Sequence, residues 1–205
     1  MKPSDFFFGA MDFFAVLLPG AILTFLLIPL GSVFAPVVPA FSTAPEKWLA
    51  FGACSYLFGH LLHHAASFLD ALYDGYAKHR RRRFGDDLLL TEAKRLTTED
   101  LGENYSDGTS TFHWASSYVK ANNAAASAEI ERSGADSKFF RSLCLVSGIA
   151  TVLFLMRGWP SEGLVPAALA FALTVFAYQR FRKLRWETTK RVYEYFVLLR
   201  KKAPR

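Results

Sequence analysis

Tyr56, His60, His63, Ser67, Asp70 and Asp74 are spaced 4, 3, 4, 3 and 4 residues apart. That series places side chains on one continuous face of an α-helix. Between Trp48 and Leu69 the chain carries no formal charge, and Leu57, Phe58, Leu61, Leu62, Phe68 and Leu72 fall on the other faces. A titratable seam on an apolar helix has three chemical uses. Imidazole, hydroxyl and carboxylate groups in a row can line a hydrated path, with Asp70 and Asp74 as an acidic mouth for cations. The same groups can hydrogen-bond to neighbouring helices in a bundle. Two imidazoles one turn apart, His60 with His63 or His64, can also share a metal ion. The metal use has the least behind it. No Glu lies inside the His pair, and the other apolar runs offer no His, Asp or Glu as a third ligand. The sequence therefore predicts no metal site, no catalytic group and no cofactor, with a membrane-embedded metal-dependent hydrolase on His60, His63 and Asp70 as the minor alternative.

The elements that must position the seam follow from composition. Of 205 residues 52% are hydrophobic, 20 are Phe, and the formal net charge is +6. Mean hydropathy is +0.16. The apolar residues come in runs, which reads as a membrane protein. Two cysteines argue against a disulfide framework. The first apolar run is long and lacks a basic lead, so it reads as a retained span rather than a cleaved signal. Walker, dinucleotide-binding and nucleophile-elbow patterns are absent from the sequence.

The expected fold is all-α: a four-helix transmembrane bundle with a small helical cytoplasmic insert and a C-terminal cytoplasmic helix. Residues 1–74 form the first hairpin, with spans at 13–35 and 48–73. Phe6, Phe7 and Phe8 suit the membrane interface, and Pro19-Gly20 with Pro29 predicts a kinked first helix. Residues 36–47 read as a loop. The insert, 75–141, holds a short helix near 88–96, a turn-rich patch at 102–111 and a helix over 112–132 with Thr111 as N-cap. Ser133-Gly134 is expected to break that helix, with Ser133 and Asp136 forming a capping box for the next. Residues 142–180 form the second hairpin, with spans at 142–157 and 163–180, a tight turn at 157–163, and Arg141, Arg157 and Arg180 snorkelling at the ends.

The tail, 181–205, reads as a basic helix. Its stripe of Phe181, Leu184, Val192, Tyr195 and Leu199 is a candidate partner-binding face, open equally to lipid, the insert or a second subunit. Orientation follows from charge. Lys2, eleven Lys/Arg in 78–141 and ten in 180–205 total 22 on one side, against Lys47 and Arg157 on the other. The positive-inside rule then puts both termini and the insert in the cytoplasm.

Other constellations have simpler readings. Arg80, Arg81, Arg82 and Arg83 anchor the chain to lipid headgroups or contact phosphate; no nucleic-acid-binding motif accompanies them, so direct nucleic-acid binding is not expected. Gly52 and Gly59 border the seam and could allow close helix approach. Glu129, Glu131, Arg132, Asp136, Lys138 and Arg141 read as solvated ion pairs joining the insert to the membrane domain. His113 and Trp114 read as packing.

Residues 12–23, DFFAVLLPGAIL, form a Phe-rich first helix broken by Pro-Gly. With the layout of two spans, an insert and a second hairpin ending in a basic helix, they resemble small multi-pass bacterial inner-membrane proteins encoded beside anti-phage and CRISPR-linked systems. The resemblance implies a membrane effector that breaches or depolarises the inner membrane. It transfers no catalytic residue to this chain. One copy has too few helices to enclose a water path, so a homo-oligomer with the second helix near its axis is expected, controlled by a cytoplasmic partner or ligand. The alternative is a membrane anchor or scaffold that recruits a soluble protein through insert and tail.

Overall fold

The computed structural model describes residues 13–28, 44–84, 87–102, 108–157 and 163–202. Among them the chain is all-α, without a strand. A π-helical turn, Phe13–Leu17, leads into α1 (Leu18–Leu27). There follow α2 (Ala44–Ala65), α3 (Phe68–Phe84), α4 (Leu88–Leu101), α5 (Gly108–Asn122), α6 (Ala124–Arg157) and α7 (Leu164–Lys202). They form two compact units: unit 1 is Met1–Asp70 with Ala135–Phe181, and unit 2 is Ala71–Gly134 with Arg182–Arg205. Phe6, Phe7, Phe8, Pro29 and the turn at 158–162 lie outside the described residues.

In unit 1, the first helix opens as a π-helical turn ahead of Pro19. Pro19 stands in the first turn of α1, where its missing N–H is least costly. Loop residues expected at 44–47 belong instead to the first turn of α2, which tolerates Pro45 for the same reason.

The α1–α2 contact is backbone against backbone. A methyl group on Gly20 would lie 1.9 Å from the Ser55 carbonyl oxygen, and one on Gly59 would lie 2.3 Å from the Val16 carbonyl oxygen. Only hydrogen fits at either position, the small-residue packing that brings membrane helices together. Gly52, expected to share this role, has open space around it. Thr24 donates to the Gly20 carbonyl at 2.8 Å, and Ser55 donates to the Thr24 hydroxyl at 3.4 Å. The two buried hydroxyls are thereby bonded inside the contact.

Farther along, Thr174 donates to Ser147 at 3.0 Å between α7 and α6, and the Phe140 and Phe176 rings meet edge-on. Among the described residues, two helical stretches are long and apolar enough to cross a membrane, Ala124–Met156 and Leu164–Lys202; Ala15–Leu27 is apolar but shorter. Much of that apolar surface is uncovered, including Val152, Met156, Val165, Leu169 and Phe171.

Unit 2 encloses a hydrophobic core. Leu90, Ala93 and Leu96 from α4 and Ala115 and Val119 from α5 pack with Ala126 of α6 and with Val192, Tyr193, Phe196 and Val197 of α7. Asp87 caps α4 by accepting from the Leu89 N–H at 3.1 Å. The helix expected over 112–132 is divided at Asn123, whose side chain accepts from the Ala126 N–H at 3.0 Å and caps α6. Ser133 and Gly134 do not break the chain's helix; both lie inside the 34-residue α6. Ser133 instead shares a 2.8 Å hydrogen bond with the Thr188 hydroxyl of α7. A polar partner on the facing helix replaces the capping role that sequence spacing suggested.

The tail stripe is not a free face. Val192 is in the core, Tyr195 and Leu199 pack against it, and Leu184 is buried. Phe181, at the end of unit 1, is only 1% exposed. The insert has too little apolar surface to close a core alone, so the tail completes it. Glu129 is bridged to Arg191 at 2.9 Å and Glu131 to Lys120 at 3.6 Å, pairs made within unit 2 rather than toward the membrane domain. Trp114 donates to Asp100 at 3.0 Å, and Asp100 also receives Arg200.

Tyr195 donates its hydroxyl to Glu129. That carboxylate holds the phenol above its ordinary pKa. A folded value above the unfolded one contributes stability that is complete below the unfolded pKa and fades as pH rises through the folded one. Ultraviolet difference titration of the wild-type chain against Tyr195→Phe is therefore expected to show a phenolate that forms at higher pH than free tyrosine. A transition at or below the free value would contradict the Tyr195–Glu129 bond.

Candidate functional site

The seam predicted from spacing is divided by the fold. α2 ends at Ala65, a turn occupies Ala66 and Ser67, and α3 starts at Phe68. Through the turn the backbone pairs with the residue three back: Ser67 N–H reaches the His64 carbonyl, Leu69 N–H that of Ala66, and Asp70 N–H that of Ser67, each at 3.0 Å. In an unbroken helix Ser67 N–H would take the His63 carbonyl. That carbonyl is released for another donor.

Arg141 of α6 supplies it. Its Nη2 donates to the His63 carbonyl at 3.2 Å and contacts His63 Nε2 at 3.3 Å, while Nη1 forms an ion pair with Asp70. The guanidinium thus lies at the C-terminal end of α2, where the exposed carbonyls favour a cation. Asp70 lies in the first turn of α3, where the N-terminal dipole favours an anion. A helix interruption, a carboxylate and a guanidinium satisfy one another at a single point. A neutral His63 keeps a lone pair on Nε2 for this contact.

The group is buried and incompletely bonded. Arg141 is 7% exposed, so it does not snorkel. Arg141 Nε, Asp70 Oδ1, His63 Nδ1 and Ser142 Oγ are buried with no hydrogen-bond partner among the described residues. Low-dielectric burial makes each such atom costly, and such clusters are retained in membrane-type helices chiefly at functional points.

The other seam residues go elsewhere. Tyr56, His60 and Ser67 are exposed on unit 1, with the Tyr56 and His60 rings edge-to-face at 4.5 Å. Asp74 is exposed and belongs to unit 2. The fold therefore brings His63 and Asp70 to a common partner and leaves Tyr56, His60 and Ser67 on the surface. Among the described residues no three His, Cys, Asp or Glu side chains are grouped to hold a metal ion. The backbone at Arg80, Arg81, Arg82 and Arg83 continues α3; their side chains lie outside what the structure describes.

Arg141 is the residue that sequence reasoning misplaced, because an arginine just ahead of an apolar run ordinarily reaches for headgroups. The missed signal was a deficit: a seam with a carboxylate at its inner end needs a cation, and the apolar runs themselves contain none. Comparison with protein-family models, curated proteins and solved structures finds no match for this chain.

Proposed function

We propose that the chain is a four-span, oligomeric inner-membrane protein whose α2 faces meet around a polar, pore-like path. The supporting observation is the line Tyr56, His60 and Ser67, exposed on unit 1 beside the equally exposed Leu57, Leu61 and Phe68. Neutral imidazole and hydroxyl groups facing lipid are costly unless hydrogen-bonded or wetted. Copies of the same helix gathered around water would relieve that cost at His60 and Ser67. Both termini and unit 2 lie on the cytoplasmic side in this reading, where 22 of the 24 Lys and Arg residues fall. A cytoplasmic partner or ligand acting on unit 2 would control opening. The consequence is membrane depolarisation, the role in antiviral defence that the architecture's resemblance implies.

The scaffold alternative uses the insert and the tail together as a docking surface, the tail through its apolar stripe. Val192, Tyr195 and Leu199 are taken up by unit 2 itself, so the pore reading is preferred. Liposomes carrying the purified chain are expected to pass ions, and a His60→Leu/Ser67→Leu chain of unchanged oligomer size should lose most of that flux. Overproduction should arrest growth, with relief by the same pair of substitutions. Silent liposomes together with normal growth and membrane potential in overproducing cells would reject the pore.

A further inference from the structure

The break between α2 and α3 presents acceptors to Arg141: the His63 carbonyl, the His63 Nε2 lone pair and the Asp70 carboxylate. The Asp70 carboxylate and the His63 carbonyl are oxygen ligands of the kind a small monovalent cation takes when it gives up hydration water, with the imidazole nitrogen a weaker neighbour. Interrupted membrane helices supply such sites because the ends of the two half-helices release backbone carbonyls. Here the place is held by a side chain of the same protein. Its hold is partial, since Arg141 Nε and Asp70 Oδ1 are both buried without a partner among the described residues.

We propose that Arg141 is a tethered plug in a cation site: its guanidinium stands in for a monovalent cation at the His63 carbonyl, His63 Nε2 and Asp70, and its withdrawal opens that site to Na⁺ or K⁺. This rests on the pore reading only for its consequence, cation-selective conduction. The site itself is a property of unit 1. Withdrawal exchanges one cation for another, so the carboxylate is never left buried and bare. That exchange avoids the penalty that makes breaking a buried ion pair prohibitive.

The direct test is thermal unfolding of the full chain in detergent, in NaCl or KCl against N-methyl-D-glucamine chloride at equal ionic strength. The wild-type chain, plugged, is expected to melt at one temperature in all three salts. Arg141→Gln is expected to be stabilised by Na⁺ or K⁺ in a saturable way, and Arg141→Gln/Asp70→Asn to lose that response. Arg141→Lys, which keeps a cation in place, should behave as wild type. Arg141→Met keeps the apolar stem and is the second variant should the glutamine chain fail to fold. An Arg141→Gln or Arg141→Met chain that melts identically in the three salts overturns the plug, as does a response that survives Asp70→Asn. Liposome flux separates the two readings. Cation-over-anion flux raised about tenfold in Arg141→Gln, one decade of open population, supports both. A salt-specific melting response with silent liposomes and with normal growth and membrane potential in overproducing cells retains the cation site and rejects the pore.

Discussion

A Gly59→Leu chain is expected to lose the α1–α2 hairpin and, with it, a monodisperse protein in detergent. The first added carbon already falls 2.3 Å from the Val16 carbonyl oxygen and 2.9 Å from Val16 Cγ1. Overpacking against movable side chains costs about 1–3 kcal/mol. Here the obstacle is backbone, which has no rotamer to change, so the helices must separate. Separation removes the Ser55–Thr24 hydrogen bond and exposes both hydroxyls in an apolar setting. Gly59→Ala should be intermediate, and Gly20→Ala should be worse, because its methyl would meet the Ser55 carbonyl at 1.9 Å. Gly52→Leu is the control, since nothing lies within 4 Å of an added carbon there. Comparison of yield, elution profile and melting temperature decides the matter. Equal behaviour of Gly59→Leu and Gly52→Leu would mean that the hairpin does not pack as described.

The second large effect is expected at Phe196. Its ring is fully buried in unit 2, with Tyr118 edge-on at 5.4 Å. Truncation to alanine removes a core aromatic and leaves a cavity, a loss of about 3–5 kcal/mol. Unit 2 is small and takes four of its ten buried core residues from α7, so a loss of that size is a large part of its stability. Protease should then cut within 87–134 far faster than in the wild-type chain. Leu198→Ala, two residues on but 54% exposed, should change cleavage little, since surface substitutions usually stay within about 0.5 kcal/mol. Equal protease resistance in the two variants would contradict the assignment of Phe196 to the core.

The helical character of the chain was legible in its apolar runs. Periodicity located the seam because side-chain spacing is a local property. It could not locate the break at Ala66 and Ser67, since neither residue is a strong helix breaker; the turn is held by Arg141, 71 residues beyond Asp70. The same limit explains Ser133. Its spacing to Asp136 fits a cap, yet a hydroxyl on α7 satisfies it within a continuous helix. The tail stripe was visible as apolar, but a stripe does not reveal its partner, and here the partner is the insert. Of the two border glycines, Gly59 meets α1 and Gly52 does not, a difference set by where the helices cross.

Unit 2 takes its core from Ala71–Gly134 and Arg182–Arg205, with Ala135–Phe181 lying between them in the chain. A ribosome makes α4 and α5 long before Val192, Tyr193, Phe196 and Val197 exist to cover Leu90, Leu96 and Val119. Unit 2 is therefore a late-folding body. During synthesis its first helices have only a fraction of the apolar contact needed to offset their conformational entropy. A chain arrested or cut before residue 192 would present Leu90, Leu96 and Val119 to chaperones and proteases. The last helix must therefore be made before unit 2 can close its core.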